Sequence, residues 1–135
     1  MSQKVPTNKE FLFEGSVMIT QTDLTGVITF ANRKFCEVSG YSSGELVGKQ
    51  HNIFRDPSMP KAVFEKMWNN ISTGHTWNGL IKNLRKDGSY YWSNTEIFPI
   101  KNENHEITGF IAVRKPTSKK NIEETQVLYN KMRED

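Results

Sequence analysis

The apolar positions change period along the chain in a readable order. "VMITQTD" (17–23) and "VITFAN" (27–32) are short runs of β type, joined by "LTG". Gly26 can supply the positive φ of a tight turn, so the spacing predicts a hairpin. "NRKFCEVSG" then reads as one or two helical turns, with Asn32 as N-cap, Phe35 and Val38 inward and Gly40 as the stop. "SSGE" pairs Ser42 with Glu45 as a capping box for a short helix that Gly48 ends. After the irregular stretch "GKQHNIFRDPSMP" (48–60), Ser58 is placed to cap a longer helix with Pro60 in its first turn. Val63, Phe64, Met67, Trp68 and Ile71 form its apolar stripe, and Gly74 closes it.

The second half is strand-like. In "WNGLIKNL", Trp77, Gly79, Ile81 and Asn83 share one face, with Leu80 and Leu84 on the other. "RKDG" reverses the chain, "SYYWSNTEIFPI" returns, and "ITGFIAVRK" follows the polar loop "KNENHE". Two strands, several short helices and three strands argue for an α+β fold, a five-stranded antiparallel sheet with helices on one face. Residues 1–15 are expected to cap the 16–116 domain, with a short helix at 8–14. Residues 117–135 form an amphipathic helix with a seam of Ile122, Thr125, Tyr129 and Met132, suited to signalling to a longer protein or to pairing with a second copy.

Composition narrows the class. One hundred and thirty-five residues, 36% hydrophobic, suit one domain. No run approaches the roughly 18 apolar residues of a membrane span, and the start lacks a signal peptide's apolar stretch, so a cytoplasmic location without membrane insertion is expected. The single Cys36 forms no internal disulfide and reads as a small packed hydrophobe. A net charge of +3 without a block of like charges gives nucleic-acid binding no support. His51, His75 and His105 are 24 and 30 residues apart, and no nucleophile-elbow or phosphate-loop motif occurs. Neither a metal site nor an enzyme is indicated.

Three motifs carry a family resemblance: "N-x-x-F-x-x-x-S-G-Y" at 32–41, "E-L-x-G" at 45–48 and "N-x-R-K-D-G-x-x-Y-W" at 83–92. Together they resemble a PAS sensory domain over about residues 16 to 116. "HNIFRDPSMPKAVFEKMW", "TWNGLIKN" and "YYW" are similar to the FAD-binding PAS domains of bacterial aerotaxis transducers of the Aer type. The resemblance implies a cytoplasmic redox or oxygen sensor for aerotaxis or energy taxis, binding FAD non-covalently, with FMN less favoured.

Against the photosensory LOV branch, His51 falls where the photoreactive cysteine stands, so no cysteinyl adduct can form. Asn83 matches a flavin-binding asparagine, Ser93 replaces a second, and Arg114 takes the place of a glutamine facing the flavin. An inward Arg114 would favour the reduced, negatively charged flavin; an outward one would be a solvated strand end. His51 and Arg55 either meet the cofactor ring and a phosphate, or cap a turn and pair with Asp56. Asp56 and Ser58 depart from the aerotaxis pattern, and an inward Asp56 would repel phosphate. Trp77 is read as facing the cofactor and Trp68 as core, and Asn83 can donate to and accept from a pyrimidine edge. The expected cofactor-binding set is thus His51, Arg55, Trp77, Asn83, Ser93 and Arg114. A haem gas sensor with His51 as axial ligand and a cofactor-free dimerisation module remain as alternatives. With Asn83 and Ser93 inward, Leu80, Leu84, Trp92, Phe98, Ile111 and Val113 face outward, a surface that calls for cover by a terminal segment, a second copy or a downstream signalling domain.

Overall fold

The computed structural model describes residues 5–134; the first four residues of the expected N-terminal cap and Asp135 lie outside them. Five strands, β1 (Met18–Asp23), β2 (Ile28–Ala31), β3 (Trp77–Leu84), β4 (Tyr90–Lys101) and β5 (Ile107–Lys115), form one antiparallel sheet in the order β2-β1-β5-β4-β3. Helices α1 (Arg33–Ser39), α2 (Ser43–Leu46) and α3 (Lys61–Ser72) and a 3-10 turn (His51–Phe54) connect β2 to β3 across one sheet face. Helix α4 (Lys119–Glu134) follows β5.

Local chemistry accounts for most of these elements. Asp23 Oδ1 accepts from the amides of Thr25 and Val27 at 2.8 and 3.1 Å, and Gly26 takes φ 87°, which sets the first hairpin. Asn32 both caps α1 and ties it to β1. Its Oδ1 accepts from the Phe35 and Ile19 amides at 2.9 and 3.1 Å, and its Nδ2 donates to the Val17 carbonyl at 3.1 Å. The capping box at Ser42 and Glu45 is formed, and Gly40 ends α1 with φ 83°.

Two expected elements differ. Ser58 does not cap α3: its amide and hydroxyl donate to Asp56 Oδ1 at 2.8 and 2.6 Å, and Pro60 occupies the cap position without a side-chain hydrogen bond. The carboxylate two residues upstream captures the serine in a local turn. The segment at 8–14 is extended, not helical. Strand β5 stops at Lys115, opposite Asn94, so the first residues of β4 lack a partner on that side. The N-terminal segment takes those groups, with Thr7 N donating to Gly88 O at 3.0 Å, Tyr90 N to Lys9 O at 2.8 Å and Phe11 N to Tyr90 O at 2.7 Å.

The stretch 48–56 meets both sheet edges. On the β2 side, Gly48 N donates to Ile28 O, Ile28 N to Lys49 O and His51 N to Gly26 O, each at 2.9 Å. On the β3 side Arg55 bridges Asn83, and Asp56 N reaches Lys82 O at 3.5 Å.

The outer face is covered in part by α4. Tyr129 donates its hydroxyl to the Leu80 carbonyl at 2.7 Å and stacks on Trp92 at 6.2 Å, while Ile122 and Met132 pack beside it. Trp92 and Leu84 are buried; Leu80, Phe98, Ile111 and Val113 are half-buried.

Because Asn32 serves a helix cap and a strand at once, Asn32→Ala should cost more than an ordinary cap, about 2 kcal/mol or more against the typical ~1. Urea unfolding measures it; a loss within 0.5 kcal/mol, the range of a neutral surface change, would contradict the double role.

Candidate functional site

The inner face of the sheet is polar where a closed core would be apolar. Thr20, Asn83, Ser93, Thr95 and Arg114 all point into the space between sheet and helices, and all are buried. That space holds a cavity of about 310 Å³, at the lower end of small-molecule sites. Helix α3 roofs it without filling it: of its stripe only Val63 and Ile71 are buried, while Phe64 and Met67 are half-buried over the opening.

Arg114 is the chemical centre of this cavity. It is 3% exposed, and no carboxylate pairs with it among the described residues. Its guanidinium donates from Nη1 to Thr20 Oγ1 at 3.0 Å and from Nη2 to His51 Nε2 at 2.8 Å, and it lies 5.0 Å from the Phe35 ring centre. Since Nη2–H must donate, His51 Nε2 is an acceptor and the imidazole proton sits on Nδ1. Thr20 Oγ1 is also 3.1 Å from Nε2. Burial, and then the Arg114 charge, depress the His51 pKa to about 3, so the ring is neutral. Burial also lowers Arg114 to about 10, which leaves it charged at neutral pH. Arg114 Nε is buried without a hydrogen-bond partner, as is Thr117 Oγ1 beyond the end of β5.

Of the residues expected at a cofactor, His51, Arg55, Asn83 and Arg114 line this one cavity. Arg114 points inward. Arg55 does not pair with Asp56; its guanidinium lies 3.9 Å over the Phe64 ring, at the mouth. Asp56 turns away, toward Lys82 at 3.6 Å and Ser58, so its charge does not face the opening. Trp77 and Ser93, also expected at the cofactor, do not line this cavity. The Trp77 indole lies flat along its strand over Gly79, where an added Cβ would sit 2.5 Å from the ring, and the residue is core. Ser93 Oγ is spent on Thr95 Oγ1 at 3.0 Å. Trp68, expected in the core, instead lines the cavity and is 44% exposed. Cys36 is half-buried against the first core cluster, where burial raises its thiol pKa. His75 and His105 are exposed and outside the cavity.

Sequence reasoning missed Thr20. A threonine inside a β run carries no signal by itself, although its place on the Ile28 face of the hairpin marks it as inward.

Comparisons with known proteins agree with this geometry. Residues 28–114 match the family described as the PAS fold. The chain is 38% identical over 118 residues to the aerotaxis receptor of Escherichia coli K12, covering 87% of this chain and 23% of the receptor. It is 29% identical over 105 residues to the nitrogen fixation regulatory protein of Klebsiella pneumoniae, covering 78% and 21%. The chain therefore spans less than a quarter of the curated relatives it matches. A Light-Oxygen-Voltage domain solved in work on a flavin analogue superposes with TM-score 0.73 at 21% identity, covering 87% of this chain and 88% of that one. An antiparallel sheet with helices folded over a polar inner cavity is the build of the PAS fold. The chain belongs to the PAS family. No described helix is long and apolar enough to cross a membrane.

The neutral His51 has a consequence for stability. Its folded pKa lies below the unfolded value of about 6.5, so between these limits the unfolded chain binds a proton that the folded chain refuses. Stability should fall as pH drops below about 6.5, by at most about 1.4 kcal/mol per unit, a ceiling because the ring keeps some exposure. The NMR titration of the ring should show no protonation from pH 8 to 5; a midpoint near 6.5 would contradict the arrangement.

Proposed function

We propose that this domain is a cytoplasmic sensory input module that holds FAD non-covalently and signals redox state or oxygen, as in aerotaxis or energy taxis. The observation that carries the reading is Arg114, a buried cation with two neutral partners and an unpaired Nε. A buried charge without a counter-charge is unfavourable unless a ligand supplies one. When bound, a flavin would supply reversible electron uptake that places negative charge on its ring. Arg114 favours that charged form, Asn83 offers an amide that can donate and accept, and His51 fixes the guanidinium through Nε2. Arg55, at the mouth, has the planar donors that suit a phosphate. Phe64, Met67 and Ile81 provide apolar walls that exclude water.

The haem alternative is less well supported, because the Nε2 that would ligate iron is engaged by Arg114 and Thr20. A cofactor-free dimerisation module fits poorly with a polar cavity that side chains leave unfilled.

The signal has a short route outward. Four residues, 115–118, separate Arg114 from α4, whose Tyr129 is anchored on the outer sheet face. A change in the Arg114 contacts acts on β5, and so on the position of α4 and a downstream signalling domain. The rest of the outer face, with Phe30 46% exposed beside Ile19, Ile111 and Val113, suits a homodimer contact.

Freshly purified protein should show the spectrum of an oxidised flavin and release FAD on denaturation. Colourless protein that takes up no added flavin would sink the reading. Asn83→Ala should weaken flavin binding about 5- to 100-fold, as expected when a buried donor or acceptor loses its partner. Arg114→Met should shift the flavin midpoint potential to more negative values, and an unchanged potential would remove Arg114 from the redox role.

A further inference from the structure

The residues that line the central cavity include two arginines, Arg55 and Arg114, and no aspartate or glutamate. Arg55 is exposed at the mouth, where water and the Phe64 ring answer its charge. Arg114 has no water to share. It is 3% exposed, its hydrogen bonds go to the neutral Thr20 and His51, and its Nε is unpaired. An oxidised flavin ring carries no charge and leaves this cation unanswered; only the reduced ring supplies a negative one. Before a cofactor arrives, and whenever a bound one is oxidised, the cavity holds a positive charge without a partner.

The floor beside that charge is apolar. Along β5 the inward positions run Arg114, Ala112, Phe110, about 13 Å from first to last, and Ile97 lies opposite Ala112 across the ladder with β4. Helix α3 sets Met67 and Ile71 over the same space. A cation thus stands at one end of a cavity of about 310 Å³ whose remaining walls are largely hydrocarbon, more room than a bare inorganic anion fills. The buried guanidinium calls for a full negative charge with planar acceptors, and the walls call for apolar surface. We propose that the cavity binds an organic monocarboxylate with a compact apolar body, aromatic or short-chain aliphatic, its carboxylate on Arg114 and its hydrocarbon over Ala112, Ile97 and Phe110. This goes beyond the flavin reading and does not depend on it. In flavin-loaded protein the acid and the ring compete for one space, and the acid displaces the uncharged oxidised ring more readily than the reduced one.

The test measures binding of benzoate, benzyl alcohol and formate to the full chain by titration calorimetry, and in protein that carries flavin by the rise in free-flavin fluorescence on displacement. Benzoate should bind at least about 10-fold tighter than benzyl alcohol, which lacks the charge, and than formate, which lacks the apolar body. Arg114→Met should weaken benzoate about 10- to 150-fold, the worth of hydrogen bonds to a charged group. Benzyl alcohol should bind that variant as before, which also reports that it folds, and Arg55→Met should leave benzoate binding unchanged. Should Arg114→Met fail to fold, the three ligands on the wild type and benzoate on Arg55→Met decide. Benzoate that binds no tighter than benzyl alcohol would take Arg114 out of the site, and benzoate no tighter than formate would leave a bare anion site. A loss of benzoate in Arg55→Met would place the carboxylate at the mouth. Each of these results, or no detectable benzoate binding in the millimolar range, overturns the inference, and none of them touches the flavin reading, which stands or falls on the absorption spectrum.

Discussion

A guanidinium withdrawn from water without a carboxylate beside it is costly, and Arg114 is held in that state by Thr20, His51 and the Phe35 ring. Much of the domain is arranged around keeping it there. Strand β1 pairs with β5 so that Met18 lies opposite Arg114, and Thr20, two residues on, presents its hydroxyl to the guanidinium. The turn after α2 is fastened to the first hairpin by the His51 amide, which brings the imidazole to the same point. The imidazole must stay neutral to accept, and the adjacent charge helps to keep it so. The polar inner face and the incomplete packing under α3 follow from the same requirement. Filling the space with leucine would bury the charge with nothing to answer it.

The architecture was legible in the sequence to the extent that local chemistry decides it. Asn32, Gly40 and the Ser42–Glu45 pair act within a few residues of themselves, and the structure forms each cap the pattern implies. The antiparallel five-stranded sheet and the inward direction of Asn83 followed from alternation and from the family resemblance, whereas the direction of Arg114, at a strand end, stayed open until the structure showed it turned inward. Ser58 was misassigned because a cap and an Asp-x-Ser turn look alike until the carboxylate's position is known. The N-terminal segment was misassigned because its partner is an unpaired stretch of β4, a fact about where β5 ends.

The two tryptophans show the same limit inside the site. Trp77 lies on the Asn83 side of its strand, as alternation requires, yet its ring folds back along the strand because Gly79 leaves room for it. Trp68 falls on a helix stripe that reads as core, yet the space beneath that stripe is a cavity and not a sheet surface. Periodicity gives the direction of a side chain. It does not say whether protein or ligand waits there.

The stretch 48–56 has a role beyond roofing the cavity. It bonds to β2 at one end of the sheet and to β3 at the other, the two strands whose outer edges have no neighbouring strand. Unpaired edges are templates for the addition of a foreign strand. Here one segment blunts both of them and also carries the imidazole that faces Arg114. Opening the pocket by lifting that segment would uncover backbone donors and acceptors at both ends of the sheet. Access to the cavity and resistance to aggregation therefore lie on a single coordinate, and a ligand that holds the segment down protects the protein from its own kind.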